Sequence, residues 1–101
     1  DLITTHTNLC ISQFIDKIKE DNIVIVDTRS KEAFESWNVP KSINIQIENI
    51  EENIDKLPKN KDIVIYSANG YDGVEFAEKL ASMDYKKIFN LITKAEESEI
   101  C

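Results

Sequence analysis

Residues 63–73 read IVIYSANGYDG, and this stretch decides the fold. Its first four residues are continuously hydrophobic rather than alternating, which is typical of a central strand that is covered on both faces in a parallel sheet. The only two glycines of the chain, Gly70 and Gly73, follow closely, and apolar residues then recur at helical spacing. We therefore predict a buried strand, a glycine-containing turn and a helix from about Gly73 to Met83.

Outside this stretch, strand and helix patterns alternate. A second continuous run lies at 23–26, and the weaker strand candidates are 43–45, 87–91 and, as an edge strand, 2–5. Helical patterns occupy the gaps, at 11–18, at 31–36 after a Ser30 cap, and at 47–57 before Pro58. This alternation predicts an α/β domain of three layers, with a central, mainly parallel sheet of about five strands, helices on both faces and right-handed crossovers.

Length and composition suit one domain. The 101 residues are 42% hydrophobic and 31% charged, which is the ordinary profile of a globular protein. We predict a single domain over 1–101, with its core at about 11–91 and a tail at 92–101. Because the chain begins at Asp1 and not at a methionine, we expect it to be part of a longer protein. No hydrophobic run approaches the roughly 20 residues that a membrane-spanning helix needs.

The chain is acidic, with a net charge of -7. Such a surface repels phosphate groups, so we expect neither a nucleic-acid partner nor a membrane partner. The two cysteines, Cys10 and Cys101, form neither a disulfide framework nor a CxxC pair, and His6 is the only histidine. We therefore expect no metal and no cofactor, and a reducing, cytoplasmic location.

The loop between the strongest strand and the best helix is the candidate site. In open α/β sheets, sites form beyond the carboxyl ends of the strands. A glycine-containing turn into a helix also directs backbone N–H groups at one point, which suits an anion. On geometry alone, a simple turn that needs positive φ at Gly70 and Gly73 is the better interpretation. The loop matches neither a P-loop nor a dinucleotide-binding glycine pattern.

Short motifs along the chain carry a resemblance to a known family: DTR at 27–29, EAF at 32–34, WNVPKS at 37–42, IVIYS at 63–67 and IFNL at 88–91. In their order and spacing these resemble the motifs of rhodanese-like domains, which are D-x-R, an acidic-x-aromatic step, G-H-I-P-G-A, V-V-Y-C and a final strand. The resemblance covers roughly Ile11 to Leu91. It implies the three-layer fold of that family and a loop that begins at a nucleophilic cysteine, where sulfurtransferases bind a persulfide or thiosulfate.

Two positions of that loop depart from the family pattern. Ser67 stands at the cysteine position and Asp72 at the arginine position, while Gly70 keeps its place. A serine hydroxyl cannot form a persulfide, and a carboxylate repels oxyanions by on the order of 1 kcal/mol at ~4 Å in water. Other family positions also differ: Trp37, Lys41 and Asp84 replace glycines, and Asn38 replaces a histidine. We therefore predict a catalytically inactive domain with no catalytic residue.

A binding or regulatory module is the function that we expect, with a protein partner or another domain of the parent chain. The predicted binding loop consists of Ser67, Ala68, Asn69, Gly70, Tyr71, Asp72 and Gly73. Tyr71 is expected to be exposed at its tip. Trp37 is predicted to pack in the core beside Val39, and the alternative is an exposed contact for a partner. Asp27 and Arg29 are expected to form structural ion pairs or caps.

Three alternatives remain at the level of sequence. The chain is an active sulfurtransferase captured in a Cys-to-Ser form at Ser67, or Cys10 or Cys101 carries the sulfur instead. A phosphatase of the related fold is the third, and it needs an arginine six positions after its cysteine. The sixth residue after Ser67 is Gly73, which argues against that alternative.

Overall fold

The computed structural model describes residues 6–68 and 70–92. Strands and helices alternate along the chain in the order β1 (Thr7–Leu9), α1 (Ile11–Lys17), β2 (Ile23–Asp27), α2 (Lys31–Ser36), β3 (Ile43–Asn44), two 3₁₀ helices (Ile47–Asn49 and Glu51–Lys56), β4 (Asp62–Tyr66), α3 (Gly70–Ser82) and β5 (Ile88–Leu91). The five strands form one sheet in the order β1-β5-β4-β2-β3, and every pairing is parallel. The predicted α/β class and parallel sheet of five strands are confirmed.

The sheet carries a hydrophobic cluster on each face. Alternate residues of a strand point to opposite faces, so β4 sends Ile63 and Ile65 into one cluster and Val64 into the other. The first cluster includes Phe76 and Leu80 of α3, and the second includes Phe14 of α1 and Val39, which follows α2. The sheet is therefore the middle of three layers, as the continuous hydrophobic runs predict.

Three predicted elements differ in their bounds. Helix α3 begins at Gly70, three residues before the predicted start, because the turn after β4 leads directly into the helix. The helix predicted at 47–57 consists instead of two 3₁₀ helices, and a non-helical backbone at Asn53 kinks the second of them. The Asn53 side chain donates a hydrogen bond to the Asn49 carbonyl at 2.9 Å, and such local bonds compete with regular helix. The edge strand lies at Thr7–Leu9, and the strand predicted at 2–5 lies outside the described residues.

Two turns use a left-handed backbone without glycine. Lys41 has φ 71° in a turn that Pro40 begins, and Ser42 N–H donates to the Val39 carbonyl at 3.0 Å. Asp84 has φ 73° two residues after the last residue of α3, where the chain leaves the helix. At both positions the resembling family has glycine, so the backbone conformation is retained although the residue type is not.

Candidate functional site

The candidate loop lies at the carboxyl edge of the sheet. Ser67 follows the last residue of β4 and is 2% exposed. Thr28 follows β2, and its N–H donates to the Tyr66 carbonyl at 2.9 Å, so Thr28 and Ser67 lie side by side. Helix α3 begins three residues after Ser67. This is the edge at which open parallel sheets place their sites.

Close packing, and not a left-handed backbone, requires glycine at position 73. Gly73 lies within α3, and a Cβ built on it would stand 1.9 Å from Asn90 Oδ1 and 3.0 Å from Ser67 Oγ. The prediction that Gly73 needs positive φ is therefore wrong, because its backbone is helical and its missing side chain makes room for β5. The contact brings Ser67, Gly73 and Asn90 together beneath the loop.

Asn90 is a site residue that the motif analysis does not identify. It lies in β5 with no exposed surface, and its Oδ1 has no hydrogen-bond partner among the described residues. Its Nδ2 is 3.5 Å from Asn8 Oδ1 on the neighbouring strand β1. In the sequence, Asn90 is the only polar residue of the run IFNL at 88–91. A buried amide is unusual without a hydrogen-bond partner, so this residue could have been identified as a site candidate.

A second cluster, on the face that carries α1 and α2, is built around Asp27 and Arg29. Asp27 is fully buried, and Arg29 binds it with Nε at 3.0 Å and Nη2 at 2.8 Å. The hydrogen bonds that Arg29 donates to the Asp27 carboxylate raise the pKa of the guanidinium. The guanidinium also lies over the ring of Tyr66, 5.1 Å from its centroid. The structure therefore contains the ion pair that was expected for these two residues.

Trp37 lies outside the core, which corrects the prediction that it packs there. Its side chain is 55% exposed and meets the Tyr66 ring edge-on, with 5.9 Å between the ring centroids. Helix α2 ends at Ser36 and Trp37 continues in an extended backbone, so Val39 takes the buried position. Arg29 donates to the Trp37 carbonyl and lies 5.6 Å from the centre of its ring. The indole is thus held in place by its neighbours while much of its surface faces solvent.

An acidic cleft of about 210 Å³ opens on the opposite face, beside the loop. Its lining residues are Thr28, Gln46, Ile47, Glu48, Asp72 and Glu75. Of these, Glu48, Asp72 and Glu75 are exposed carboxylates, and among the described residues no lysine or arginine lines the cleft. The Thr28 Oγ1 atom is buried and has no hydrogen-bond partner in the described part of the chain. Such a cleft disfavours anions and favours cations.

The predicted loop is only partly described. Ala68 is exposed, whereas Asn69 and the side chain of Tyr71 lie outside the described residues, so the expected exposure of Tyr71 stays a prediction. Asp72 lines the acidic cleft, while Trp37 belongs to the other face of the sheet.

The remaining candidates are the cysteines. Cys10 is 4% exposed at the start of α1, and its N–H donates to Gln13 Oε1 at 3.0 Å. It is disulfide-bonded, so the structure does not present it as the free thiol that a sulfur carrier needs. Cys101 lies outside the described residues. In residues 6–68 and 70–92 there is no group of three His, Cys, Asp or Glu side chains that could hold a metal ion. Nor does that part of the chain contain a helix long and apolar enough to cross a membrane.

Two curated relatives are sulfurtransferases. Thiosulfate sulfurtransferase GlpE of Coxiella burnetii is 24% identical over 75 residues, which cover 74% of this chain and 70% of that protein. A tRNA sulfurtransferase of Pyrobaculum aerophilum is 29% identical over 66 residues, which cover 65% of this chain but only 14% of that protein.

Solved structures share the fold. The BH2092 protein of Bacillus halodurans is 25% identical, with a TM-score of 0.77 over 93% of this chain and 72% of that one. A rhodanese-related protein of Thermoplasma volcanium has a TM-score of 0.75 at 19% identity, over 94% of this chain and 93% of that one. The sequence model of the rhodanese-like domain matches residues 11–93. With this match over most of its length, the chain belongs to the rhodanese-like domain family and has sulfurtransferases among its relatives.

Proposed function

We propose that this rhodanese-like domain does not transfer sulfur and serves as a module that binds a protein partner or another domain of its parent chain. The observation that carries the proposal is the pair of residues at the loop. A buried hydroxyl, Ser67, follows β4 where the family has its cysteine, and Asp72 stands where the family has its arginine. Both Ser67 and Asp72 oppose the transfer of sulfur.

The nucleophile is the first difficulty for sulfur transfer. A thiolate attacks a sulfane sulfur and holds it as a persulfide, whereas a serine hydroxyl needs an adjacent base even to become nucleophilic. The only histidine of the chain, His6, precedes β1. By the parallel register it lies level with Ile63, four residues before Ser67 and about 13 Å away along the strand direction. His6 is therefore not placed to act as that base.

The electric field is the second difficulty. Thiosulfate is an anion, and a thiolate near neutral pH needs a positive field around it. Asp72 instead contributes to the acidic cleft together with Glu48 and Glu75. The only arginine of the sequence, Arg29, is bound to Asp27 on the other face of the sheet. The surroundings of the loop thus oppose both the thiolate and its substrate.

Two exposed surfaces support a role in recognition. The loop with its acidic cleft lies on the face of α3, and the exposed ring of Trp37 lies on the face of α2. Exposed tryptophans that are already held in one conformation lose little entropy on binding and are common anchors of protein interfaces.

A sulfurtransferase assay tests the proposal. Thiosulfate and cyanide are supplied to the chain, to Ser67→Cys and to the double variant Ser67→Cys/Asp72→Arg, with GlpE of Coxiella burnetii as the positive control. We expect turnover at background level from the chain and from Ser67→Cys, because the acidic field persists when the thiol is restored. Circular dichroism verifies that each variant is folded.

Each outcome of this assay has a defined meaning. Turnover by the unchanged chain at the rate of the positive control would refute the proposal. Robust turnover by Ser67→Cys alone would favour the alternative of an active enzyme captured in a serine form. Mass spectrometry addresses Cys10 and Cys101 after the chain has been reduced, freed of reductant and treated with thiosulfate. A free thiolate that attacks thiosulfate would release sulfite and keep one sulfur atom, so a persulfide would add about 32 Da. We expect the mass to be unchanged.

A further inference from the structure

We infer that the disulfide at Cys10 is a redox-sensitive lock, which joins the start of α1 to Cys101 and gives the domain its full stability only under oxidising conditions. The inference goes beyond the proposed function, because it concerns the conditions under which the domain is stable and not what its loop does. It starts from one observation: Cys10 is disulfide-bonded and only 4% exposed.

The sequence identifies the partner of Cys10. The chain contains two cysteines, Cys10 and Cys101, so a disulfide within the chain joins these two. The bond therefore closes all but the first nine residues of the chain into one loop. A disulfide stabilises a fold mainly because it constrains the unfolded chain, and this constraint grows with the length of the closed loop.

The end of β5 lies beside Cys10. Leu9 of β1 pairs with Leu91 of β5, and the Ile92 N–H donates to the Leu9 carbonyl at 2.9 Å. By this parallel register Ile92 is level with Cys10, one strand spacing or about 4.8 Å away. The chain therefore leaves the sheet next to Cys10, and the nine residues 93–101 that follow are long enough to reach back to it.

The two elements on either side of Cys10 have little packing of their own. Strand β1 has three residues at the edge of the sheet, and its one neighbour among the described strands is β5. Helix α1 has seven residues, of which Phe14 is the only buried one. Helices shorter than about 12–15 residues are marginal by themselves in water. A covalent bond at the junction of β1 and α1 therefore restrains elements that are weakly held by other means.

Reduction opens the lock by thiol–disulfide exchange. One thiolate of a dithiol reductant attacks the S–S bond, and its second thiolate then displaces the remaining protein sulfur from the mixed disulfide. Two electrons and two protons pass to the protein, both cysteines become thiols, and the reductant becomes a disulfide. Protein disulfides persist in oxidising compartments and are rare in reducing ones. The bond therefore favours an oxidising compartment over the reducing, cytoplasmic location that the cysteine count predicts.

Alkylation, peptide mapping and thermal melts test the inference. The chain is equilibrated in a buffer of reduced and oxidised glutathione and is then treated with iodoacetamide, before and after reduction with dithiothreitol. We expect no alkylation before reduction, alkylation of both cysteines after it, and a linked pair of peptides containing Cys10 and Cys101 in the non-reduced digest. The reduced chain should melt about 10–20 °C lower than the oxidised chain.

The matched control is Cys101→Ala, which breaks the bond and leaves the buried Cys10 in place. It should melt like the reduced chain, and dithiothreitol should not lower its melting temperature further. Alkylation of the equilibrated chain before reduction, a disulfide-linked dimer on a non-reducing gel, or equal melting temperatures of the oxidised and reduced chains would each overturn the inference. None of these measurements depends on sulfurtransferase turnover, so the failure of this inference and that of the proposed function are distinguishable.

Discussion

Replacing Gly73 by alanine tests the packing beneath the candidate loop. The added methyl group would lie 1.9 Å from Asn90 Oδ1, 2.9 Å from Asn90 Cγ and 3.0 Å from Ser67 Oγ. Neither neighbour has room to retreat, since Asn90 is fully buried in β5, which pairs on both sides, and Ser67 is buried at the end of β4. The substitution therefore forces α3 away from the sheet or Asn90 out of its conformation.

The expected magnitude follows from two opposing effects. Overpacking of a tight core costs about 1–3 kcal/mol, and a contact this short belongs at the upper end. Alanine is favoured over glycine inside a helix by about 1 kcal/mol. We therefore expect Gly73→Ala to lower the free energy of unfolding by about 2 kcal/mol.

A double-mutant cycle isolates the contact. Asn90→Ala removes the amide that the methyl group would meet, so in that background Gly73→Ala should be neutral or stabilising by up to about 1 kcal/mol, which is a coupling of about 2–3 kcal/mol. Urea unfolding followed by far-ultraviolet circular dichroism measures all four proteins. Glu78→Ala, at an exposed position of α3, is the control and should change stability by less than about 0.5 kcal/mol. Equal effects of Gly73→Ala in both backgrounds would refute the reasoning.

Two further predictions concern stability. Restoring glycine at the left-handed positions, Lys41→Gly or Asp84→Gly, should raise the free energy of unfolding by up to about 1 kcal/mol, as measured by urea unfolding, because φ of 71° and 73° disfavours a side chain; destabilisation by both variants would contradict it. Burial raises the pKa of Tyr85, whose hydroxyl donates to the Leu57 carbonyl, so the folded state keeps a proton that the unfolded state loses above its ordinary value near 10. Stability should be fully present below pH 10 and fall above it, and Tyr85→Phe should show a smaller fall over that range in thermal melts.

The residues that depart from the family pattern are of two kinds: some occupy a turn, and others occupy the candidate site. At Lys41 and Asp84 the glycine is lost but the turn is kept, since one non-glycine residue in a left-handed conformation costs only about 1–2 kcal/mol. At Ser67 and Asp72 the backbone of strand and helix is likewise in place, but the atoms that a reaction would use differ. The fold is therefore kept where the residue types of the loop differ, because packing and the chemistry of a site depend on different atoms.

Local sequence was sufficient for most of the fold. The continuous runs at 23–26 and 63–66 predicted two buried parallel strands, because a strand that is covered on both faces has no polar side. The family resemblance likewise follows from short motifs in order, and the model of the rhodanese-like domain matches 11–93. The identities of Ser67 and Asp72, on which the proposed function depends, are also visible in the sequence alone.

The features that the sequence did not predict depend on contacts between segments that are distant along the chain. The exposure of Trp37 depends on where α2 ends relative to Tyr66, and the demand for glycine at position 73 comes from Asn90, 17 positions further along the chain. The acidic cleft combines residues from three segments, of which only Asp72 was singled out beforehand. Periodicity reports which face of an element is buried, but it contains no information about which atoms of another element will meet that face, and tertiary packing alone determines this.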